Sequence, residues 1–175
     1  MKPSDNQLKE AFETLGFFEY KSLKSKEIPF SHDVYLQCER NTCGQFGKNH
    51  ACPSETSSES ERKNRILSFD DAYIISIKVP FRSKEDIENS GSILKEKLNL
   101  LRKNFPDQSV AVLGVGPCTL CESCTAPQGG PCRFPDKTQY SMEGCGIDVV
   151  KLSKQKEMTY NAGTGNMVFF ATVLY

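Results

Sequence analysis

Eight cysteines in 175 residues, against only two histidines, are the groups in this chain best suited to chemistry. Seven of them fall into two groups, Cys38-x4-Cys43-x8-Cys52 and Cys118-x2-Cys121-x2-Cys124-x7-Cys132, while Cys145 stands apart. The run CTLCESC at 118–124 carries the strongest signal. Two-residue spacing lets one tight loop turn three successive thiolates inward, toward three different irons of a cubane, while intervening backbone N–H groups donate to the sulfurs. Zinc takes cysteine pairs at this spacing too, but a zinc ribbon needs a second, separate pair and none exists here.

Cys132, preceded by Gly129, Gly130 and Pro131, is the natural fourth ligand. In bacterial-type ferredoxin runs the fourth cysteine comes sooner, precedes proline and serves the other cluster. Here Arg133 follows, so Cys132 either completes the local cluster or reaches across to the other group. We expect a 4Fe–4S cluster on Cys118, Cys121, Cys124 and Cys132, with structural zinc as the alternative cofactor and unmetallated core thiols as a third reading.

The first group, CERNTCGQFGKNHACP, has wider spacing and lacks a fourth cysteine of its own. His50 could supply the ligand, since neutral imidazole binds zinc and some cluster irons, or it could be an ordinary surface or capping histidine. Cys145 could also supply it, or could pack as a small hydrophobe beside Met142 and Val149. His32 has no partner in the sequence. Gly114-Val115-Gly116 lacks the third glycine of a dinucleotide fingerprint, because Thr119 stands there, and NAGTGN at 161–166 lacks the Lys-Ser/Thr of a P-loop. With two histidines, no Ser/His/Asp set is suggested, and Cys/His nucleophilic catalysis would leave most thiols unexplained.

The elements that must hold these loops are read from periodicity. Leu8, Ala11, Phe12 and Leu15 mark a helix over 5–15 that stops at Gly16, and Phe17 to Tyr20 and Val34 to Leu36 read as strand segments. Cys38 to Pro53 reads as an irregular loop, and Ser54 to Ser68 as a helix with Ser57 or Ser58 near its start. Asp71 to Val79 is a central strand, stopped by Pro80. Ile87, Leu94, Leu98, Leu101 and Phe105 lie on one face of a long helix with Ser83 as N-cap and Pro106 as its stop. Ser109 to Val115 reads as a second buried strand. Met142, Cys145, Val149 and Leu152 read as the inner face of a helix beginning near Ser141, and Asn166 to Tyr175 as a last strand. The alternation implies a single α+β (or α/β) domain over 1–175, a mixed sheet covered by helices in ferredoxin-like proportions.

Composition excludes several classes. No apolar stretch reaches the roughly 20 residues of a membrane span, and the N-terminus has no signal-peptide core. Lys+Arg and Asp+Glu are both 22, with no block of like charge, so nothing indicates nucleic acid. The expected location is cytoplasmic, where reducing conditions make clustered cysteines metal ligands or catalytic groups in preference to disulfides.

The two motifs together, C-x4-CGQFGK-x3-CP and CxxCxxC-x5-GGPCRFP…YSMEGCGIDV, resemble those of a family of small uncharacterised prokaryotic proteins described as predicted metal-binding. The resemblance runs from about Asp33 to the C-terminus and includes Gly44, Gly47, Lys48, Pro53, Pro131, Arg133, Pro135, Ser141, Met142, Glu143, Gly146, Ile147 and Asp148. It implies Cys38, Cys43, Cys52, Cys118, Cys121, Cys124 and Cys132 as metal ligands and speaks against Cys145 and His50. It implies no reaction. Arg133 could offset cluster charge, or pair with Glu143 or Asp148 to fix the loop to the following helix. The functional expectation is an iron–sulfur protein with one or two 4Fe–4S clusters that exchanges electrons with a redox partner protein. The alternatives are a zinc-stabilised interaction module, or an enzyme whose cluster keeps one open iron.

Overall fold

Four strands from both halves of the chain form one sheet in the order β1-β2-β4-β3, with every neighbouring pair antiparallel. The structure is a computed structural model that describes residues 2–52, 57–106 and 109–175; the side chains of Ile87 and Glu88 are also left undescribed. Pro53, Ser54 and the Ile87 side chain, all used in the sequence reading, therefore lie outside the described residues.

Strand β2 (Asp71–Pro80) is central and pairs with β1 (Glu19–Lys24) on one side and β4 (Asn166–Leu174) on the other. Its alternating side chains serve two cores, because successive residues of a strand point to opposite faces. Tyr73, Ile75, Ile77 and Val79 pack with Leu8, Ala11 and Phe12 of α1 (Asp5–Thr14) and with Leu94, Leu98 and Leu101 of α4 (Lys84–Asn104). Ala72 and Ile74 face Ile66 of α3 (Glu59–Leu67), Met142, Cys145, Ile147 and Leu152 of α5 (Val149–Gln155). Helices thus cover both faces, as an α+β domain requires. The unit β2-α4-β3 (Ala111–Leu113) is a split βαβ, with β4 inserted between its two strands.

Helix starts follow the expected caps. Ser4, Ser58 and Ser83 each form a capping box, with Gln7, Glu61 and Asp86 reaching back to the cap. Three expectations need correction. Val34 to Leu36 is not a strand: it lies in α2 (His32–Glu39), because the Ser31 side chain caps that helix by accepting from Val34 N–H. Three apolar or β-prone residues cannot distinguish strand from helix. The strand expected over 109–115 shrinks to Ala111–Leu113 at the sheet edge, and beyond it Gly114 bridges to Ser141. The expected helix from Ser141 is broken. Ser141 caps a 3-10 turn at Glu143–Cys145, Gly146 turns left-handed (φ 72°), and α5 starts afresh with Asp148 as N-cap. Among the described residues no helix is long and apolar enough to cross a membrane.

Candidate metal centre

The broken segment 141–148 is the anchor for the first cysteine group. Ser31 N–H donates to Gly146 O, Asp148 N–H donates to Pro29 O, and Phe30 bridges Ile147. Helix α2 is thereby seated on the 143–145 turn, and Cys38 emerges in its last turn, half-buried. Cys43 is exposed in the following turns, and Cys52 is half-buried at their end. Asn49, only 4% exposed, shapes this loop with one side chain. Its Oδ1 accepts from Ala51 and Cys52 N–H, both at 3.1 Å, and its Nδ2 donates to Cys52 Sγ at 3.1 Å.

Arg62 lies beneath that loop, 3% exposed, on the inner face of α3 one turn before Ile66. Its guanidinium donates to Ala51 O, Gly144 O (3.1 Å), Cys52 O (2.8 Å) and Ser57 Oγ (2.8 Å). No carboxylate of a described residue pairs with it. Burial raises the Cys38 thiol, as do the neighbouring Cys52 and Cys43, and the Arg62 charge opposes them. Burial raises Cys52 as well, while the Asn49 hydrogen bond and Arg62 lower it and Cys43 and Cys118 raise it. The three thiols of the first group therefore lie within one electrostatic neighbourhood, and Cys52 feels the first thiol of the second group.

In the second group Cys118, Cys121, Cys124 and Cys132 line one cavity of about 20 Å³, together with His50, Leu120, Phe134 and Thr138. All four are half-buried and free, and no carboxylate lines the cavity. Gly129 in the left-handed region (φ 69°) reverses the chain after the 3-10 turn Ala126–Gln128, which returns Cys132 toward the first three thiols. A Cβ on Gly130 would come within 3.1 Å of Thr125 Cβ, so the loop closes tightly at that point. Arg133 donates to Ser123 O at 2.6 Å. That corrects the expected ion pair with Glu143 or Asp148, which among the described residues does not form: Asp148 is committed to the α5 cap and accepts from Lys151 N–H.

The two loops meet through His50. Its Nε2 lies 3.2 Å from Thr125 Oγ1, and that hydroxyl donates its only proton to Pro131 O at 2.6 Å. Nε2 must therefore be the donor to Thr125, so it carries a proton and offers no lone pair to a metal. The sequence places His50 beside the first group, whereas the fold puts it in the wall of the second. His32 is paired with Glu59 at 2.6 Å on the surface. Cys145 is 3% exposed in the core below the site, among apolar residues, the environment of its plainer reading.

A half-buried arginine also underlies the second group. Arg102 donates to Val112 O and Asn99 Oδ1, Asn99 Oδ1 accepts from Gln139 Nε2, and Gln139 Oε1 accepts from Thr119 N–H. This relay ties the cysteine loop to α4. Burial lowers the Arg102 pKa to about 10, and the nearby Cys118 opposes that shift.

Sequence reasoning missed Asn49, Arg62 and Arg102. Arg62 had a signal, since it stands four residues before the inward Ile66; the other two had none.

The fold and site together define a small α+β protein with two soft-donor loops at one place. Sulfur donors without carboxylates fit a thiophilic ion or an iron–sulfur cluster, and not a hard oxygen-seeking cation. Among the described residues no three His, Cys, Asp or Glu side chains are already grouped closely enough to hold a metal ion. The chain belongs to the family described as "Predicted metal-binding protein (DUF2284)", whose model matches residues 21–175. No curated protein and no solved structure matches the chain.

Proposed function

We propose that the chain is an iron–sulfur protein carrying a 4Fe–4S cluster on Cys118, Cys121, Cys124 and Cys132, and that it passes single electrons to and from a redox partner protein in the cytoplasm. The observation that carries this reading is the convergence of those four thiols, from one CxxCxxC run and a returning cysteine, on a single cavity without carboxylates. Cys38, Cys43 and Cys52 would serve a second cluster, with the Arg62 guanidinium offsetting part of its thiolate charge. Bound there, a cluster would supply a one-electron couple; the chain's own residues fix its thiolates, hydrogen bonds and surrounding charge.

One observation favours zinc instead. A cavity of about 20 Å³ holds little more than one water-sized body, so a cubane would require the 118–132 loop to widen. Anaerobic purification followed by iron, acid-labile sulfide and zinc analysis separates the readings. Cys121→Ser should remove about four irons per chain, the content of one cubane. Stoichiometric zinc with no labile sulfide and no electron uptake from dithionite would establish the zinc module instead.

A further inference from the structure

The largest described cavity, about 170 Å³, lies beside the first cysteine loop but contains none of its three thiols. Its floor is apolar and buried: Ile66 from α3, Leu113 from β3, Leu174 from β4, and Cys145. Phe69 and Tyr140 form aromatic walls, and Arg65 and Glu61 stand at the exposed rim.

The charge of this cavity is one-sided. The guanidinium carbons of Arg62 and Arg65 lie 5.2 Å and 5.1 Å from the Tyr140 ring centroid. Glu61 is the only carboxylate in the lining, and its oxygen is occupied at the α3 cap, where it accepts from Ser58 N–H (2.6 Å) and Ser58 Oγ (2.8 Å). Arg62 spends its donors on three carbonyls and Ser57. Arg65 makes no hydrogen bond or ion pair that the described residues show, beyond its contact with the ring. A planar fork of N–H donors at the mouth of an apolar cavity matches a carboxylate on an apolar body, because bidentate guanidinium–carboxylate pairing satisfies both groups.

The geometry points to a binding site for a small organic monocarboxylate of about benzoate size, its carboxylate on Arg65 and its apolar body against Ile66, Leu113 and Leu174. The size follows from volume: an apolar cavity of roughly 150 Å³ takes up benzene, and this one is about 170 Å³. The site is independent of which metal the thiols hold.

Methyl NMR of the full chain, in its as-isolated metal state, tests this with benzoate, benzamide and benzylamine as probes. Benzoate should give saturable shifts confined to the Ile66, Leu113 and Leu174 methyls, at least about tenfold tighter than either neutral or cationic analogue. Arg65→Gln, at an exposed position, should abolish that preference, and Arg65→Lys should restore part of it. Failure of benzoate to saturate these methyls, or equal binding of benzamide, would overturn the proposal. Retention of the preference in Arg65→Gln would overturn it as well. None of these outcomes depends on iron or zinc content.

Discussion

Burial pushes the Cys145 thiol from 9.0 up to about 12, with Arg62 and Arg65 opposing the shift and Glu143 and Cys38 adding to it. A thiol whose folded pKa is raised keeps its proton in the native state after the unfolded chain has lost it. Stability must therefore fall as pH rises from about 9 toward 12, by up to about 1.4 kcal/mol per pH unit from this one group. Cys145→Ala should flatten that alkaline limb, read as urea midpoints across the range, and in the reduced metal-free wild type Cys145 should be the last thiol alkylated. Arg62 is the opposite case, a buried charge that the loop needs. Arg62→Met leaves the carbonyls of Ala51, Gly144 and Cys52 without their donor and should cost about 3 kcal/mol in chemical denaturation. Arg62→Lys should recover only part, because an ammonium cannot reproduce the fork. At this scale the sequence displays the ligating thiols, since cysteine spacing is local. It hides Asn49 and Arg102, because an amide or guanidinium becomes a site residue only through tertiary placement.

Helix α4 was legible because Ser83 and the Leu94, Leu98, Leu101 stripe agree with each other, and β2 because a run of β-branched and aromatic residues ends at a proline. The 141–155 segment misled because its 3, 4, 3 spacing survives a break: Gly146 reverses the backbone, yet Met142, Cys145 and Leu152 still reach one core. Strand β3 and the Cys118 loop meet at Gly114, whose N–H donates to Tyr140 O and whose O accepts from Met142 N–H. A Cβ there would sit 2.6 Å from Leu98 Cδ1, inside the core of α4 where Leu98 is 2% exposed. Gly114→Ala should therefore destabilise the protein by about 1–3 kcal/mol through overpacking. A companion Leu98→Val change should restore part of that loss, which two-variant thermal melts would measure as non-additivity.

At the scale of the molecule, the two cores flank the sheet and contain none of the seven proposed ligands. Cys145 is the only cysteine in either core. The ligand loops are instead held to that frame by discrete ties: α2 to Gly146 and Asp148, Arg62 to Ala51 and Cys52, and the Arg102–Asn99–Gln139 relay to Thr119. A structural metal that provides most of a small fold's stability gives an unfolded apo chain when it is removed. Here the sheet and its two apolar cores can persist without it, so metal removal should act locally. Chelation under reducing conditions should leave the far-UV circular dichroism largely intact and β2 and β4 amides protected. Loss of hydrogen-exchange protection should be confined to 38–52 and 118–138. Because His50 donates to Thr125 across the two loops, loosening of the 118–138 loop in a Cys121→Ser variant should extend to the backbone around His50 while leaving α1 and α4 unchanged. Global unfolding of the chelated chain would show that the thiol-bound metal, and not the sheet, is the main source of stability.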